Sequence, residues 1–243
     1  MPYVGADVCR AGWLAVTLSP PDGWQVAVFA DIFSLWASCK DARLILLDVP
    51  IGLPHKDKKK RACDAEARKL LKSRRPSVFP APSRDAVYAY AKSYEEASQI
   101  NARTIGKKLS RQSFGLITRI RQVDQLLSND AFARSCIKET HPEVCFWALN
   151  GYRPMRYAKK GPAGFSERIE VLSAVYVGAG EIVDFALSEF RRSQVARDDI
   201  LDALVAAVTA SAVEKGLTPI PQEAEFDARG LPMEMVYYPA DLG

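Results

Sequence analysis

The four aliphatic residues Leu44-Ile45-Leu46-Leu47 run straight into Asp48, and Pro50, Gly52 and Pro54 follow within a few positions. An unbroken apolar run suits a central strand covered on both faces, and the prolines and glycine that follow stop it and turn the chain. A strand buried on both sides needs a layer of structure above and below its sheet. The rest of the chain contains the pieces. Residues 3–8, 13–18 and 24–29 read as strands. Arg10-Ala11-Gly12 supplies a tight turn with a glycine free to take positive φ, and Pro20-Pro21-Asp22-Gly23 supplies the second turn, so the three strands form a meander. Asp31 to Cys39 reads as a short helix.

From residue 55 to 133 the pattern is helical and basic. Ala62 to Arg74 has helical composition, and Pro76-Ser77-Val78-Phe79-Pro80-Ala81-Pro82 cannot be a regular helix. Ser93 with Glu96 forms a capping-box pattern for a helix to about Ile105. Ser110 starts another, in which Phe114, Ile117, Ile120, Val123 and Leu127 recur at helical spacing. Ser135 to Thr140 reads as a strand ending at His141-Pro142-Glu143. Ser166 caps a helix to about Tyr176, Glu181 to Arg191 is the next, and Asp198 to Lys215, closed by Gly216, is the longest clear helix. Met235 to Tyr238 reads as a short edge strand. The expected architecture is α/β: a mixed sheet with helices on both faces, one domain over residues 1–243, with residues 55–133 as a helical insertion after the fourth strand.

A hydrophobic content of 48% is enough for a substantial core and excludes wholesale disorder. No apolar run reaches the roughly 18 residues that span a bilayer. The first residues lack a basic segment followed by an apolar one, so a cytoplasmic chain with no membrane association is expected. The five cysteines are dispersed with no CxxC pair and read as reduced thiols. Zinc would have to rely on His141 and Cys145 plus distant ligands, a poor match to such sites. The net charge of +4 is modest, but Lys56, Lys58, Lys59, Lys60, Arg61, Arg68 and Lys69 crowd one stretch and Lys107, Lys108 and Arg111 the next, which points to an anionic partner.

The acidic residues carry the chemistry. Asp7 interrupts an apolar strand, where an acid is costly unless it opens into a cleft or has a partner. Asp48 ends the most buried strand, beside which ligand sites in open α/β sheets gather. Asp198, Asp199 and Asp202 open the last long helix. One of them, Asp198, is explained by the helix dipole, and Asp202, set among Leu201, Ala203, Leu204 and Val205, is the first choice as a site residue, with Asp199 second. Glu139 and Glu143 flank His141-Pro142, and on physical grounds either could point inward. If these groups converge, they form an all-oxygen site for a hard divalent cation, Mg²⁺ or Mn²⁺, the usual means of cutting a phosphodiester bond.

Val4-Gly5-Ala6-Asp7, Cys9-Arg10-Ala11-Gly12-Trp13 and Asp48-Val49-Pro50-Ile51-Gly52-Leu53-Pro54 resemble the family called domain of unknown function 429. Further matching stretches are Arg61-Ala62-Cys63-Asp64, Ser77-Val78-Phe79-Pro80-Ala81-Pro82, Leu109-Ser110-Arg111-Gln112, His141-Pro142-Glu143 and Asp198-Asp199-Ile200-Leu201-Asp202-Ala203, in order over nearly the whole chain. The resemblance implies a ribonuclease-H-like fold with a five-stranded mixed sheet and a predicted nuclease activity. It implies metal binding by Asp7, Asp48 and Asp199 or Asp202, and it selects Glu143 over Glu139 as the fourth catalytic acid. Arg10, Lys107, Lys108, Arg111 and Gln112 are the candidate contacts to DNA or RNA.

Two other functions share such a core. An ATP-dependent phosphotransferase of the actin and sugar-kinase type would read Gly5-Ala6-Asp7 and Gly12 as a phosphate hairpin. It is disfavoured by the short chain and by Gly178-Ala179-Gly180 being the only later candidate loop. A non-catalytic nucleic-acid-binding protein is the third.

Overall fold

The computed structural model describes residues 1–223 and 225–239. The meander forms as expected from β1 (Tyr3–Cys9), β2 (Gly12–Ser19) and β3 (Gly23–Phe29). Gly12 has a φ of 142°, and a Cβ there would sit 2.0 Å from the carbonyl oxygen of Phe29, so the tight turn is open only to glycine. Helix α1 (Ile32–Ser38) is capped by Asp31, whose side chain accepts from the Ser34 backbone N–H. Strand β4 (Leu44–Leu47) returns beside β1.

The segment that follows is helical: α2 (Ala62–Leu71), a 3₁₀ turn over Lys72–Ser77, α3 (Arg84–Tyr88), α4 (Tyr94–Ile105), α5 (Arg111–Asn129) and α6 (Ala131–Cys136). Ser93 and Ser110 are the N-caps of α4 and α5, although Glu96 returns its carboxylate to the N–H of Lys92 instead of Ser93. Strand β5 (Ile137–Glu139) is shorter than its sequence suggests, because Ser135 and Cys136 complete the last turn of α6. Next come α7 (Pro142–Leu149), α8 (Pro162–Val175), α9 (Ala179–Glu189) and α10 (Arg197–Ser211). Helix α8 begins four residues before Ser166, at a proline that needs no N–H partner in a first turn. A 3₁₀ turn over Val213–Lys215 leads to β6 (Thr218–Ile220), which pairs antiparallel with β7 (Met235–Tyr237) in a small second sheet.

The main sheet has the order β3-β2-β1-β4-β5. The meander pairs are antiparallel, while β1 with β4 and β4 with β5 are parallel. This five-stranded mixed sheet flanked by helices agrees with the ribonuclease-H-like expectation. Val4, Ala6, Trp13, Ala15, Ile45 and Leu47 face a core shared with α1, α5 and α6. Leu14, Val16, Leu44 and Leu46 face the other way, toward α7 to α10. Leu44 to Leu47 are thus buried on both sides, as their unbroken apolarity requires. Among the described residues no helix is long and apolar enough to cross a membrane.

Gly5 sets how closely α10 lies on the sheet. A Cβ there would come within 2.0 Å of the Ala207 nitrogen and 2.3 Å of the Ala203 carbonyl oxygen, so the helix backbone rests directly on β1. That close approach carries the start of α10 over the C-terminal end of β1.

Candidate functional site

Strand parity decides which acids can meet. Asp7 pairs with Leu14, whose side chain packs on the α10 side, so Asp7 points the same way. Asp48 continues the parallel pairing, its N–H donating to the Ala6 carbonyl at 3.1 Å, and alternation past Leu47 turns it to that face too. Asp202 lies one helical turn before Ala206, which packs on Leu44 and Leu46, and so looks onto the same sheet surface. Three acids from three elements therefore gather at the C-terminal edge of the parallel strands.

The electrostatics follow from their proximity. Burial raises the carboxyl of Asp7 well above the ordinary range, and the charges of Asp48 and Asp202 push it further. Burial lifts Asp48 to about 7, with Lys159 opposing and Glu143 adding to the rise. Asp202 is lifted by burial to about 6, against the pull of Lys159. Three carboxylates so placed, Asp7 and Asp202 buried and Asp48 half-buried, repel one another and resist ionisation together.

Lys159 is the resident counter-charge. Its ammonium lies 2.5 Å from Asp202 Oδ2 and 3.5 Å from Asp198 Oδ2. The loop that carries it is pinned: Arg74 donates to the carbonyls of Met155 and Arg156, both at 2.8 Å, and Glu167 accepts from the N–H groups of Arg156 and Tyr157. Gly164, in the first turn of α8, lets that loop approach, since a Cβ there would be 2.0 Å from the Ala158 carbonyl oxygen. No motif flags Lys159, because its partner lies 43 residues away in sequence and meets it only in the fold.

Glu143, in the first turn of α7, is held by the fully buried Arg168 through Oε1, while its buried Oε2 has no hydrogen-bond partner. Arg168 also donates to the carbonyls of Gly164 and Tyr157, at 2.9 and 3.3 Å. Glu139 is engaged elsewhere. It shares the parity of Leu47, pairs with Arg61 and accepts from the Ile51 N–H, fixing the turn after β4. Burial nonetheless raises its carboxyl to about 8. Asp199, in the first turn of α10, is occupied in accepting from the N–H of Ala196, the residue before the helix, at 2.8 Å.

Asp48, Glu143 and Asp202 line a cavity of about 390 Å³ together with His141, Lys159 and Gln112. Arg74, Ser77, Phe79 and Lys160 complete its rim. His141 rests its Nε2 3.4 Å from the Ser77 carbonyl and leaves Nδ1 unpartnered; burial lowers its pKa, which favours the neutral ring. Of the candidate substrate contacts, Gln112 alone lines this cavity. Lys107 lines a separate basic recess with Lys59, Lys60 and Arg68. Arg10 and Lys108 are exposed and line none of the described cavities, and Arg111 stacks 3.8 Å over the Tyr94 ring and pairs with Glu95. Of the later glycines, Gly178 is the N-cap of α9 and Gly180 lies within that helix. All five cysteines are free and buried, and Cys145 packs its sulfur 3.0 Å from Thr140 Oγ1.

As a donor set, Asp7, Asp48 and Asp202 suit a hard cation, and even with Lys159 present the charge they share is under-compensated. Their spacing is looser than single-ion ligation. Among the described residues the one set of three potential ligand atoms within 4.8 Å of one another is Cys63, Asp64 and Glu139, and Arg61 already pairs with both of its carboxylates.

The fold and site define an α/β protein with a buried acidic cluster at the C-terminal edge of a mixed sheet, held by one lysine. The chain belongs to the family described as protein of unknown function (DUF429), whose model matches residues 5–226 and so spans every acid of the cluster. No curated protein and no solved structure matches the chain.

Proposed function

We propose that this chain is a metal-dependent nuclease that hydrolyses phosphodiester bonds at the cavity lined by Asp48, Glu143 and Asp202. The observation that carries the reading is the convergence of the buried Asp7 and Asp202 with the half-buried Asp48, three acids whose pKa values are raised even though Lys159 stands among them. Such a group gains most from a second, stronger counter-charge. Asp7, Asp48 and Asp202 would hold Mg²⁺ or Mn²⁺, with Asp199 at the margin. A bound ion would polarise the phosphoryl oxygens and acidify a water at neutral pH.

The residues of the chain divide the remaining work. Glu143 Oε2, buried and unpartnered, can accept a proton from the attacking water, with Arg168 fixing its orientation. With Asp202 engaged by a cation, Lys159, whose side chain is 37% exposed, would be free to meet a phosphate oxygen. Lys160 and Gln112 at the rim meet the substrate backbone.

A second reading draws on Lys159 itself: an ammonium already seated on Asp202 suits a protein that binds nucleic acid without cutting it. One experiment separates the two. Purified protein is incubated with single-stranded and duplex DNA and RNA, with Mn²⁺ or with chelator, beside Asp7→Asn. The proposal expects Mn²⁺-dependent cleavage that Asp7→Asn lowers by at least about 100-fold, in line with the loss of an essential electrostatic element. Nucleic-acid binding without cleavage, unchanged by Asp7→Asn, would leave the binding reading standing in its place.

A further inference from the structure

A second cavity, of about 340 Å³, adjoins the acidic one, and Lys159 and Lys160 line both. Its other walls come from the starts of α8 and α10, with Phe165 and Arg197, and from Arg192 in the segment between α9 and α10. The charge here is opposite to that next door. Lys160, Arg192 and Arg197 form no ion pair among the described residues, and the single acid of the lining, Asp198, lies 3.5 Å from Lys159. Three uncompensated cations around one recess are a site for a polyanion. Phe165 adds an aromatic face, with the Arg197 guanidinium 5.5 Å from its ring centre. Gly161 and Ala196, which precede the two helices, offer no side chain to the first-turn N–H groups, so the positive dipole ends add to the same potential.

We propose that this basic cavity is a second subsite, which takes the backbone phosphate and base adjacent to the bond held over the acids in a single-stranded nucleic acid. The inference deepens the nuclease reading and rests on it for the direction of the strand, from Asp48 and Asp202 across Lys159 and Lys160 toward Arg197. Cation pairing supplies affinity at the phosphate, and the Phe165 ring supplies a stacking platform available only to an unpaired base. A duplex keeps its bases within the helix and cannot use that ring.

The test is equilibrium binding by fluorescence anisotropy, with chelator present so that cleavage plays no part. The probes are short labelled single-stranded DNA and RNA of one sequence and the matching DNA duplex. The protein is compared with the double variant Arg192→Glu/Arg197→Glu and with the charge-matched control Lys40→Glu/Arg103→Glu, whose positions line neither cavity. All four residues are exposed, so the variants are expected to fold. The subsite predicts that Arg192→Glu/Arg197→Glu weakens single-strand binding about tenfold or more and flattens its salt dependence by roughly one to two lost phosphate contacts, while the control binds as the parent does. Single-stranded DNA and RNA responding alike marks a backbone site, and a response in one alone marks which strand it serves. No binding of either single strand, equal weakening by the control, or a duplex bound as tightly and with the same sensitivity would each overturn the subsite. Binding that behaves as predicted without any Mn²⁺-dependent cleavage would sink the nuclease reading and leave this subsite in place.

Discussion

Replacing Asp48 with Asn separates what the acidic cluster does for stability from what it does for chemistry. Burial raises the Asp48 carboxyl from the ordinary 3.8 to about 7, so the folded protein holds that proton more tightly than the unfolded chain does. The sign follows: the fold is unpenalised below about pH 3.8, loses stability as pH rises through that interval, and has lost all of it beyond about pH 7. At about 1.4 kcal/mol per pH step the full penalty is roughly 4 kcal/mol. Titration shared with neighbouring acids, and a carboxyl that is only partly buried, reduce this to about 2 kcal/mol. Asn keeps the shape and carries no charge. The Asp48 side chain accepts no hydrogen bond among the described residues, and its backbone N–H to Ala6 is untouched, so no contact is lost. For a domain of this size about 2 kcal/mol corresponds to roughly 4–8 °C in Tm. Thermal unfolding of Asp48→Asn in chelator should show a gain of that order at pH 8 that falls to roughly two fifths of its size at pH 5 and vanishes only below about pH 3.8. The same variant should lose Mn²⁺-induced stabilisation. A variant that is less stable than the parent at pH 8, or whose shift is independent of pH, would refute the account of Asp48 as a strained, under-compensated acid.

Other perturbations give outcomes of different sign. Lys159→Met removes the ammonium beside Asp202 and should lower stability at pH 8 by about 1–2 kcal/mol, less than for a fully buried pair because the lysine is partly exposed. Mn²⁺ should then raise its Tm by more than it raises the parent's, and a Tm insensitive to Mn²⁺ would speak against the lysine holding the place of a cation. Gly5→Ala puts a methyl group 2.0 Å from the Ala207 nitrogen and should cost about 3 kcal/mol or prevent folding, read as soluble yield and Tm.

Much of the architecture was legible because periodicity and burial agree. The meander, the β4 run and α10 each carry a pattern that admits one reading. Helix α7 escaped for the opposite reason. All eight of its residues are buried, so no polar face marks a helical period, and a proline at its start resembles a turn. β6 is three residues long with a proline in the middle and exists only because β7 pairs with it. At the site, Asp7, Asp48 and Asp202 were visible because an acid in an apolar strand or helix face is costly and calls for a reason. The sequence left Glu139 and Glu143 open. Glu139, in register with Leu47, is taken up by Arg61, while Glu143 lines the cavity from α7. Lys159 and Arg168 sit in a basic loop and on a helix, with nothing local to distinguish them. Their roles arise only when β4, α7 and α10 bring the acids to them.

Anomalous scattering from a Mn²⁺-soaked crystal tests the central claim most directly. The account predicts a peak among the carboxylates of Asp7, Asp48 and Asp202, with the Lys159 ammonium displaced from Asp202. A peak elsewhere, or none with Lys159 still seated on Asp202, would contradict it.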